Sequence, residues 1–121
     1  MDKLLSGRRI LIVEDEMMVL MLIEDMLADL GCKSVTAAAT VEQALFLISA
    51  NIFDAALLDM NLNGSKSHDV AEVLATRNIP FAFSTGYSIL EMNDAYRTRP
   101  VLKKPFSLRE LVEVFKRLLA H

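Results

Sequence analysis

Residues 10–15 read ILIVED, a run of four apolar residues that ends in two carboxylates. Residues 55–59, AALLD, repeat this pattern and again end in an acid. Two more apolar runs end in polar groups: hydroxyls in residues 81–85, FAFST, and lysines in residues 101–104, VLKK. Short runs that are apolar throughout are typical of strands whose two faces are both covered by helices. The four runs therefore predict a parallel sheet that is buried on both sides.

Amphipathic segments alternate with these apolar runs and predict helices between the strands. Helices are expected at about residues 16–30, 40–50, 68–77, 89–96 and 107–119, with a further strand at about 33–38 and a polar loop at 61–67. Capping boxes at Thr40 and Ser107 mark two of the helix starts. Five strand–helix units in succession predict a doubly wound α/β fold.

The carboxyl ends of parallel strands meet at one edge of the sheet, and ligands bind at that edge in this class of fold. The polar residues at the ends of the apolar runs, which this edge would bring together, are Glu14, Asp15, Asp59, Thr85 and Lys104. Three carboxylates, a hydroxyl and an ammonium in one place suggest a site for a divalent cation and a phosphoryl group.

The composition fits one compact domain spanning residues 1–121, since 53% of the residues are hydrophobic and 24% are charged. The net charge of −3 includes no basic block, which argues against nucleic-acid binding. Cys32 is the only cysteine, which excludes an intrachain disulfide, and we expect it to be buried at the start of a strand. No secretory signal is visible, and the longest apolar run, residues 17–23, is too short to cross a bilayer. A soluble cytoplasmic protein without membrane association is expected.

Four motifs contain these strand ends: IVEDE at residues 12–16, LLDMNL at 57–62, STGY at 84–87 and LKKPF at 102–106. In this order and at this spacing, they resemble the receiver domain of two-component response regulators over nearly the whole chain. The resemblance implies a flavodoxin-like (βα)5 fold with strand order 2-1-3-4-5. The stretch FSTGY, residues 83–87, also looks like the FAT GUY branch of receivers, which is often paired with histidine kinases of the HWE type.

The resemblance implies that Asp59 is the phosphoacceptor, which takes a phosphoryl group from a sensor histidine kinase and forms an acyl phosphate. Magnesium is the expected cofactor, because Mg²⁺ binds carboxylate and phosphate oxygens. In the family pattern, Asp15 and Asp59 bind the metal directly and Glu14 acts through water. The backbone carbonyl of Asn61 is the further ligand that the pattern implies.

Lys104 is expected to bind the phosphoryl oxygens as a point charge, in preference to its neighbour Lys103. The resemblance also implies a cis peptide bond before Pro105. Thr85 is expected to donate a hydrogen bond from its hydroxyl to the phosphoryl group and thereby to move the loop that follows. Val101 occupies the position where most receivers have Tyr or Phe, so the usual aromatic relay is missing.

The first helix carries apolar residues beyond its predicted core stripe. The stripe follows helical spacing and consists of Val19, Leu22, Ile23, Met26, Leu27 and Leu30. The apolar residues that fall off this stripe are Met17, Met18, Leu20 and Met21. Exposed methionine-rich patches are typical of partner sites, and this helix is the usual kinase-docking face of receivers. We expect these four residues to contact the kinase or a second copy of the chain; a wide core stripe is the alternative. Tyr87 and the loop toward Met92 are the candidates for transmitting the output to a partner in place of the aromatic relay.

The chain is then expected to be a monomer or weak dimer without an output domain, and to act on an unidentified protein target or phosphotransfer protein. Its only expected chemistry is its own phosphorylation and dephosphorylation. A degenerate receiver that serves only as a docking module is the alternative, but the complete set of acids, threonine and lysine argues against it. A phosphatase of the haloacid dehalogenase kind would need a second acid at position 61. A flavodoxin-like cofactor binder would need a glycine-rich phosphate loop where residues 14–16 are all acidic.

Overall fold

The computed structural model describes residues 5–62, 65–86 and 99–120, with the backbone alone for residues 61, 65 and 66. Its strands are β1 (Arg9–Val13), β2 (Ser34–Ala38), β3 (Ala55–Asp59), β4 (Asn61–Leu62), β5 (Ser65–Lys66), β6 (Phe81–Thr85) and β7 (Val101–Lys103), and its helices are α1 (Met17–Asp29), α2 (Val41–Ala50), α3 (His68–Thr76) and α4 (Leu108–Leu118). The helix predicted at residues 89–96 lies outside the described residues. Among the described helices, none is long and apolar enough to span a bilayer.

Five of the strands form one parallel sheet with the order β2-β1-β3-β6-β7. Numbered within this sheet alone, the order is 2-1-3-4-5, which confirms the predicted topology. The central strands β1, β3 and β6 are almost entirely buried, as their unbroken apolar runs indicate. The register pairs Val13 with Leu58 and Asp59 with Ser84, so these three strands end at nearly the same level.

Alternate residues of the central strands belong to two separate apolar clusters. In β1, Ile10 and Ile12 pack in a cluster completed by α1 and α4, whereas Leu11 and Val13 pack in one completed by α2 and α3. This arrangement is the doubly wound fold expected for a buried parallel sheet. The two clusters hold the strands from both sides and so fix the position of their carboxyl ends.

The inward face of α1 differs from the predicted one. Leu20 is buried, with 7% of its surface exposed, and packs in the core with Ile23 and Leu27. Leu22, which we expected in the core, is 53% exposed. The prediction of Leu20 as a docking residue is therefore wrong, because seven consecutive apolar residues leave the rotation of the helix undetermined by pattern alone. The exposed large apolar residues of this helix, called the α1 outer face below, are Met17, Met18, Met21 and Leu22.

The predicted caps are present at the starts of α2 and α4. Thr40 Oγ1 accepts a hydrogen bond from the backbone N–H of Gln43 at 3.0 Å, and Gln43 Oε1 accepts one from the N–H of Ala39 at 2.8 Å. At α4 the capping box is complete, since Ser107 and Glu110 exchange bonds of 2.9 and 3.2 Å. Both caps satisfy backbone donors that a helix start would otherwise leave without partners.

Two local expectations are corrected. The polar loop predicted at residues 61–67 contains the antiparallel pair β4–β5, whose two-residue strands are too short to show a strand pattern in the sequence. Cys32, which we expected to be buried, is half-buried and forms an isolated bridge with Ser6. It leads into β2, an edge strand of the sheet with only its last residue buried, so solvent reaches this side of the fold.

Candidate functional site

The polar residues predicted from the strand ends come together at the carboxyl edge of the sheet. Glu14 follows β1, Asp59 ends β3, and Thr85 ends β6. Lys104 follows β7, and its backbone N–H donates to the carbonyl oxygen of Thr85 at 2.8 Å. Four strands that are far apart in sequence therefore contribute to one site.

Four carboxylates form the acidic part of this site. Each offers an oxygen that lies within 4.8 Å of the others, and they belong to Glu14, Asp15, Glu16 and Asp59. Glu14 and Asp59 are buried, with 1% and 4% of their surfaces exposed, whereas Asp15 is half-buried and Glu16 is exposed. Carboxylates at such separations repel one another, which favours either a bound proton or a cation among them.

Lys104 brings a positive charge into the cluster. Its Nζ lies 2.7 Å from Glu14 Oε1, 3.2 Å from Asp59 Oδ2 and 3.8 Å from Glu16 Oε1. Burial by itself would lower the pKa of Lys104, but the contacts with Glu14 and Asp59 outweigh burial and raise the pKa above its ordinary value. The ammonium is therefore charged at neutral pH. Its neighbour Lys103 is exposed.

Glu14 is the residue whose charge the site accommodates least well. Burial, followed by a hydrogen bond with Asp59, raises the pKa of Glu14 to about 7, although Lys104 and the backbone of Glu16 favour the charged form. The N–H of Glu16 donates to Glu14 Oε2 at 3.1 Å. Glu14 Oε1 is fully buried and accepts no well-directed hydrogen bond, so the ion-pair contact with Lys104 is its compensation. The cluster is thus short of positive charge.

The donor set fits a magnesium ion. All the groups are carboxylate oxygens, which Mg²⁺ prefers as ligands, and the buried Glu14 Oε1 lacks a directed donor. A divalent cation here would offset the repulsion that accompanies the raised pKa of Glu14. Asp15 and Asp59 are both close enough to share it. Asn61 begins β4, two residues after Asp59, and the metal-binding role of its carbonyl stays a prediction.

Of the other positions singled out from the sequence, the structure describes Thr85, Val101 and the peptide bond before Pro105. Thr85 is buried, with 1% of its surface exposed. Val101 is half-buried and packs against the apolar cluster on the α2 and α3 side of the sheet. The Lys104–Pro105 peptide bond is cis, as the resemblance implied. Tyr87 lies outside the described residues.

Residues 10–116 match the family model of the response regulator receiver domain. The chain belongs to the response regulator receiver family. This family is a signalling module of two-component systems, and phosphorylation and magnesium binding are among its features. The acids and the lysine described above all lie within the residues that match this family.

Solved receiver structures resemble the chain over nearly its whole length. The solution structure of SdrG from Sphingomonas melonis Fr1 is 44% identical with a TM-score of 0.83, and the match covers 96% of this chain and 98% of that one. The BeF3-activated conformation of SdrG, from Pseudomonas melonis Fr1, is 43% identical with a TM-score of 0.83 and coverages of 94% and 98%. The receiver domain of the sensor histidine kinase PA1611 from Pseudomonas aeruginosa PAO1, with magnesium in its active-site cleft, is 27% identical with a TM-score of 0.82 and coverages of 96% and 100%. No curated protein sequence matches the chain at a significant level.

Glu16 is the site residue that the sequence interpretation did not assign. The signal for it is the third acid in the run 14–16. An acid at the start of a helix is ordinarily explained by its favourable interaction with the helix dipole, so the sequence alone gives no reason to assign Glu16 a further role. Its contact with Lys104 at 3.8 Å brings Glu16 into the receiver site.

Proposed function

We propose that this receiver accepts a phosphoryl group from a sensor histidine kinase onto Asp59 in a Mg²⁺-dependent reaction, and that it signals by binding a partner once phosphorylated. One observation carries the proposal: the ammonium of Lys104 lies 2.7 Å from Glu14 and 3.2 Å from Asp59, within a cluster of carboxylates. A strand-end aspartate that only caps a loop needs no such surroundings. A buried nucleophile beside a fixed positive charge suits the transfer of an anionic group.

The transfer exchanges one bond to phosphorus for another. A carboxylate oxygen of Asp59 attacks the phosphorus of the donor phosphohistidine, and the P–N bond breaks as the imidazole leaves with the bonding electron pair and takes up a proton. The products are an acyl phosphate on Asp59 and a free histidine on the kinase. Magnesium, when bound, neutralises charge on the phosphoryl oxygens. Lys104 adds a second positive charge beside the same oxygens.

Thr85 senses the phosphoryl group in this proposal. Its hydroxyl donates a hydrogen bond to a phosphoryl oxygen, and the resulting shift changes the surface that partners bind. The 2.8 Å backbone bond between Lys104 and Thr85 supports a coupled response, because a shift of either strand end moves the other. The aliphatic Val101 excludes a mechanism in which an aromatic ring at this position swings inward.

Intact mass spectrometry tests the phosphoacceptor. The chain is incubated with acetyl phosphate, with and without Mg²⁺, beside Asp59→Asn as the control. We expect a mass gain of one phosphoryl group that requires Mg²⁺ and is absent in the variant. If no phosphoryl group is added under any condition, the proposed phosphotransfer is refuted and the alternative, a receiver that serves only as a docking module, takes its place.

We further propose that the phosphohistidine-bearing domain of the kinase docks on the α1 outer face. This face begins two residues after Asp15, which places it beside the site to which a donor protein would bring its phosphohistidine. Met18, with 84% of its surface exposed, is its most exposed apolar residue. A second copy of the chain on the same face would give the weak dimer that the sequence allowed, with the monomer as the other state.

Polar substitution of this face tests docking. The double change Met18→Ser and Met21→Ser is expected to slow transfer from a phosphorylated histidine kinase that phosphorylates the wild type, while phosphorylation by acetyl phosphate stays the same. The matched control is Phe46→Ser, which removes an apolar side chain on α2 that is 69% exposed. Equal kinase rates in the double variant, the control and the wild type would refute docking on α1. Size-exclusion chromatography of the same proteins reports whether the face also holds a dimer.

We also propose a receiver branch, a kinase type and a mode of signalling for this chain. The motif FSTGY at residues 83–87 supports a FAT GUY receiver served by a kinase of the HWE type. The match to SdrG, which covers 98% of that chain, supports a receiver that works through partner proteins or phosphotransfer. We propose a cytoplasmic signalling protein whose chemistry is limited to its own phosphorylation and dephosphorylation.

A further inference from the structure

Glu16 is in the receiver site but has no assigned task. It is the N-cap residue of α1, yet its side chain accepts no capping hydrogen bond from the helix. Its carboxylate instead lies 3.8 Å from Lys104 Nζ, with 64% of the side chain exposed. The carboxylate is therefore at the solvent side of the acidic cluster, beside the lysine that is expected to bind phosphoryl oxygens.

We infer that Glu16 is a specificity-determining residue that disfavours free, highly charged phosphoryl donors. The inference rests on the proposed phosphorylation of Asp59. A donor that approaches Asp59 passes close to Glu16, because the two carboxylates lie within 4.8 Å of each other. A fixed negative charge at this distance repels a dianion more strongly than a monoanion. A protein donor can cancel the repulsion with a basic side chain placed against Glu16, which a small donor cannot do.

The size of the effect follows from Coulomb's law. In water, with a Debye length of about 8 Å, a unit negative charge about 6 Å from a dianion lowers the local concentration of the dianion about threefold, and that of a monoanion by less than twofold. The effect should disappear near 1 M salt, where the Debye length is about 3 Å. Removal of the charge should therefore raise the rate selectively for the dianion.

The experiment compares two small donors on wild type and Glu16→Gln by intact mass, at a Mg²⁺ concentration that saturates each protein in its own calorimetric titration. With acetyl phosphate, a dianion, the P–O bond breaks and acetate leaves with the electron pair. With phosphoramidate, which carries one net negative charge, the P–N bond breaks and ammonia leaves with the electron pair. Asp25→Asn is the matched control, since it removes an exposed acid about 13 Å further along α1. Glu16→Asp keeps the charge and should keep the wild-type donor ratio.

At physiological salt, we expect Glu16→Gln to react about threefold faster than wild type with acetyl phosphate and less than twofold faster with phosphoramidate. At high salt, the rate increase should become equally small for the two donors. A purely structural role at the helix start would lower stability without changing the donor ratio. The inference is overturned if the two donors respond equally to Glu16→Gln, or if Asp25→Asn gives the same shift. If neither donor phosphorylates the wild type, the proposed function fails as well. If both donors phosphorylate the wild type and Glu16→Gln leaves the ratio of their rates unchanged, only the role of Glu16 fails.

Discussion

Without magnesium, part of the stability of this receiver should depend on pH through Glu14, and Glu14→Gln should abolish that part. The raised pKa of Glu14, about 7 against 4.5 in the unfolded chain, means that the folded protein binds a proton that the unfolded chain releases across this interval. Stability from this group is therefore fully present below pH 4.5 and is lost as the pH rises through 7. Glutamine resembles the protonated form in shape and has no proton to lose in this range.

The magnitude comes from the size of the shift. One pKa unit corresponds to about 1.4 kcal/mol, so the full effect of Glu14 is about 3 kcal/mol. Between pH 5 and pH 8, the wild type should lose about 2 to 3 kcal/mol of unfolding free energy more than Glu14→Gln does. For a domain of 121 residues, this corresponds to a relative change of roughly 10 °C in Tm.

Urea unfolding followed by circular dichroism, in EDTA at several pH values between 5 and 8, measures the two stability curves. Asp25→Asn is the control for a simple loss of one acid, and its curve should run parallel to that of the wild type. Addition of Mg²⁺ should flatten the wild-type curve, because a cation in the cluster stabilises the charged form of Glu14. If the stability of wild type and of Glu14→Gln depends on pH in the same way in EDTA, the raised pKa of Glu14 in the metal-free site is refuted.

Three further changes probe how the fold supports the site, all by urea unfolding at pH 7. Leu20→Ala should cost about 2 to 4 kcal/mol of unfolding free energy, because it opens a cavity under α1. Met18→Ala on the outer face should change the unfolding free energy by less than about 0.5 kcal/mol. Similar losses in these two variants would contradict the observed rotation of the helix. Ser107→Ala should cost about 1 kcal/mol through the α4 cap, and an unchanged stability would mean that water replaces the hydroxyl. Arg99→Ala should cost about 1 kcal/mol, because the guanidinium carbon lies 4.4 Å from the centre of the Phe81 ring, and Arg99→Lys should restore part of the loss.

Much of the sheet could be predicted from the sequence because its strands are buried on both faces. Burial on both sides demands unbroken apolar runs, and such runs are visible without any homologue. The strand ends then place Glu14, Asp59 and Thr85 at one edge, since parallel strands share their direction. The caps at Thr40 and Ser107 could also be predicted. Each is a hydroxyl residue with Gln or Glu three positions later, and these same side chains make the capping hydrogen bonds.

The surface of α1 could not be predicted in the same way. Seven apolar residues in a row satisfy several rotations of a helix equally well, so only the packing against the sheet decides that Leu20 turns inward and Leu22 outward. Glu16 illustrates a second limit. Its importance depends on a 3.8 Å contact with Lys104, a residue 88 positions away, and no local pattern records such a contact. Short pairings such as β4–β5 escape for a third reason, since two residues show no periodicity.

The shortage of positive charge in this site is what makes it suitable for a switch. In the part of the chain that the structure describes, Lys104 Nζ lies within 3.8 Å of carboxylate oxygens of Glu14, Glu16 and Asp59, and a phosphoryl group on Asp59 would add further negative charge. The proposed phosphorylation would therefore place new oxygens in competition with Glu14, which now lies 2.7 Å from the ammonium of Lys104, and would redistribute the contacts of that ammonium. The backbone N–H of Lys104 donates a hydrogen bond to the carbonyl oxygen of Thr85, so such a redistribution would reach the end of β6 without any aromatic relay. In the proposed mechanism, the replacement of the usual aromatic by Val101 is compatible with signalling, because the charge balance of the site would couple the phosphoryl group to the neighbouring strand.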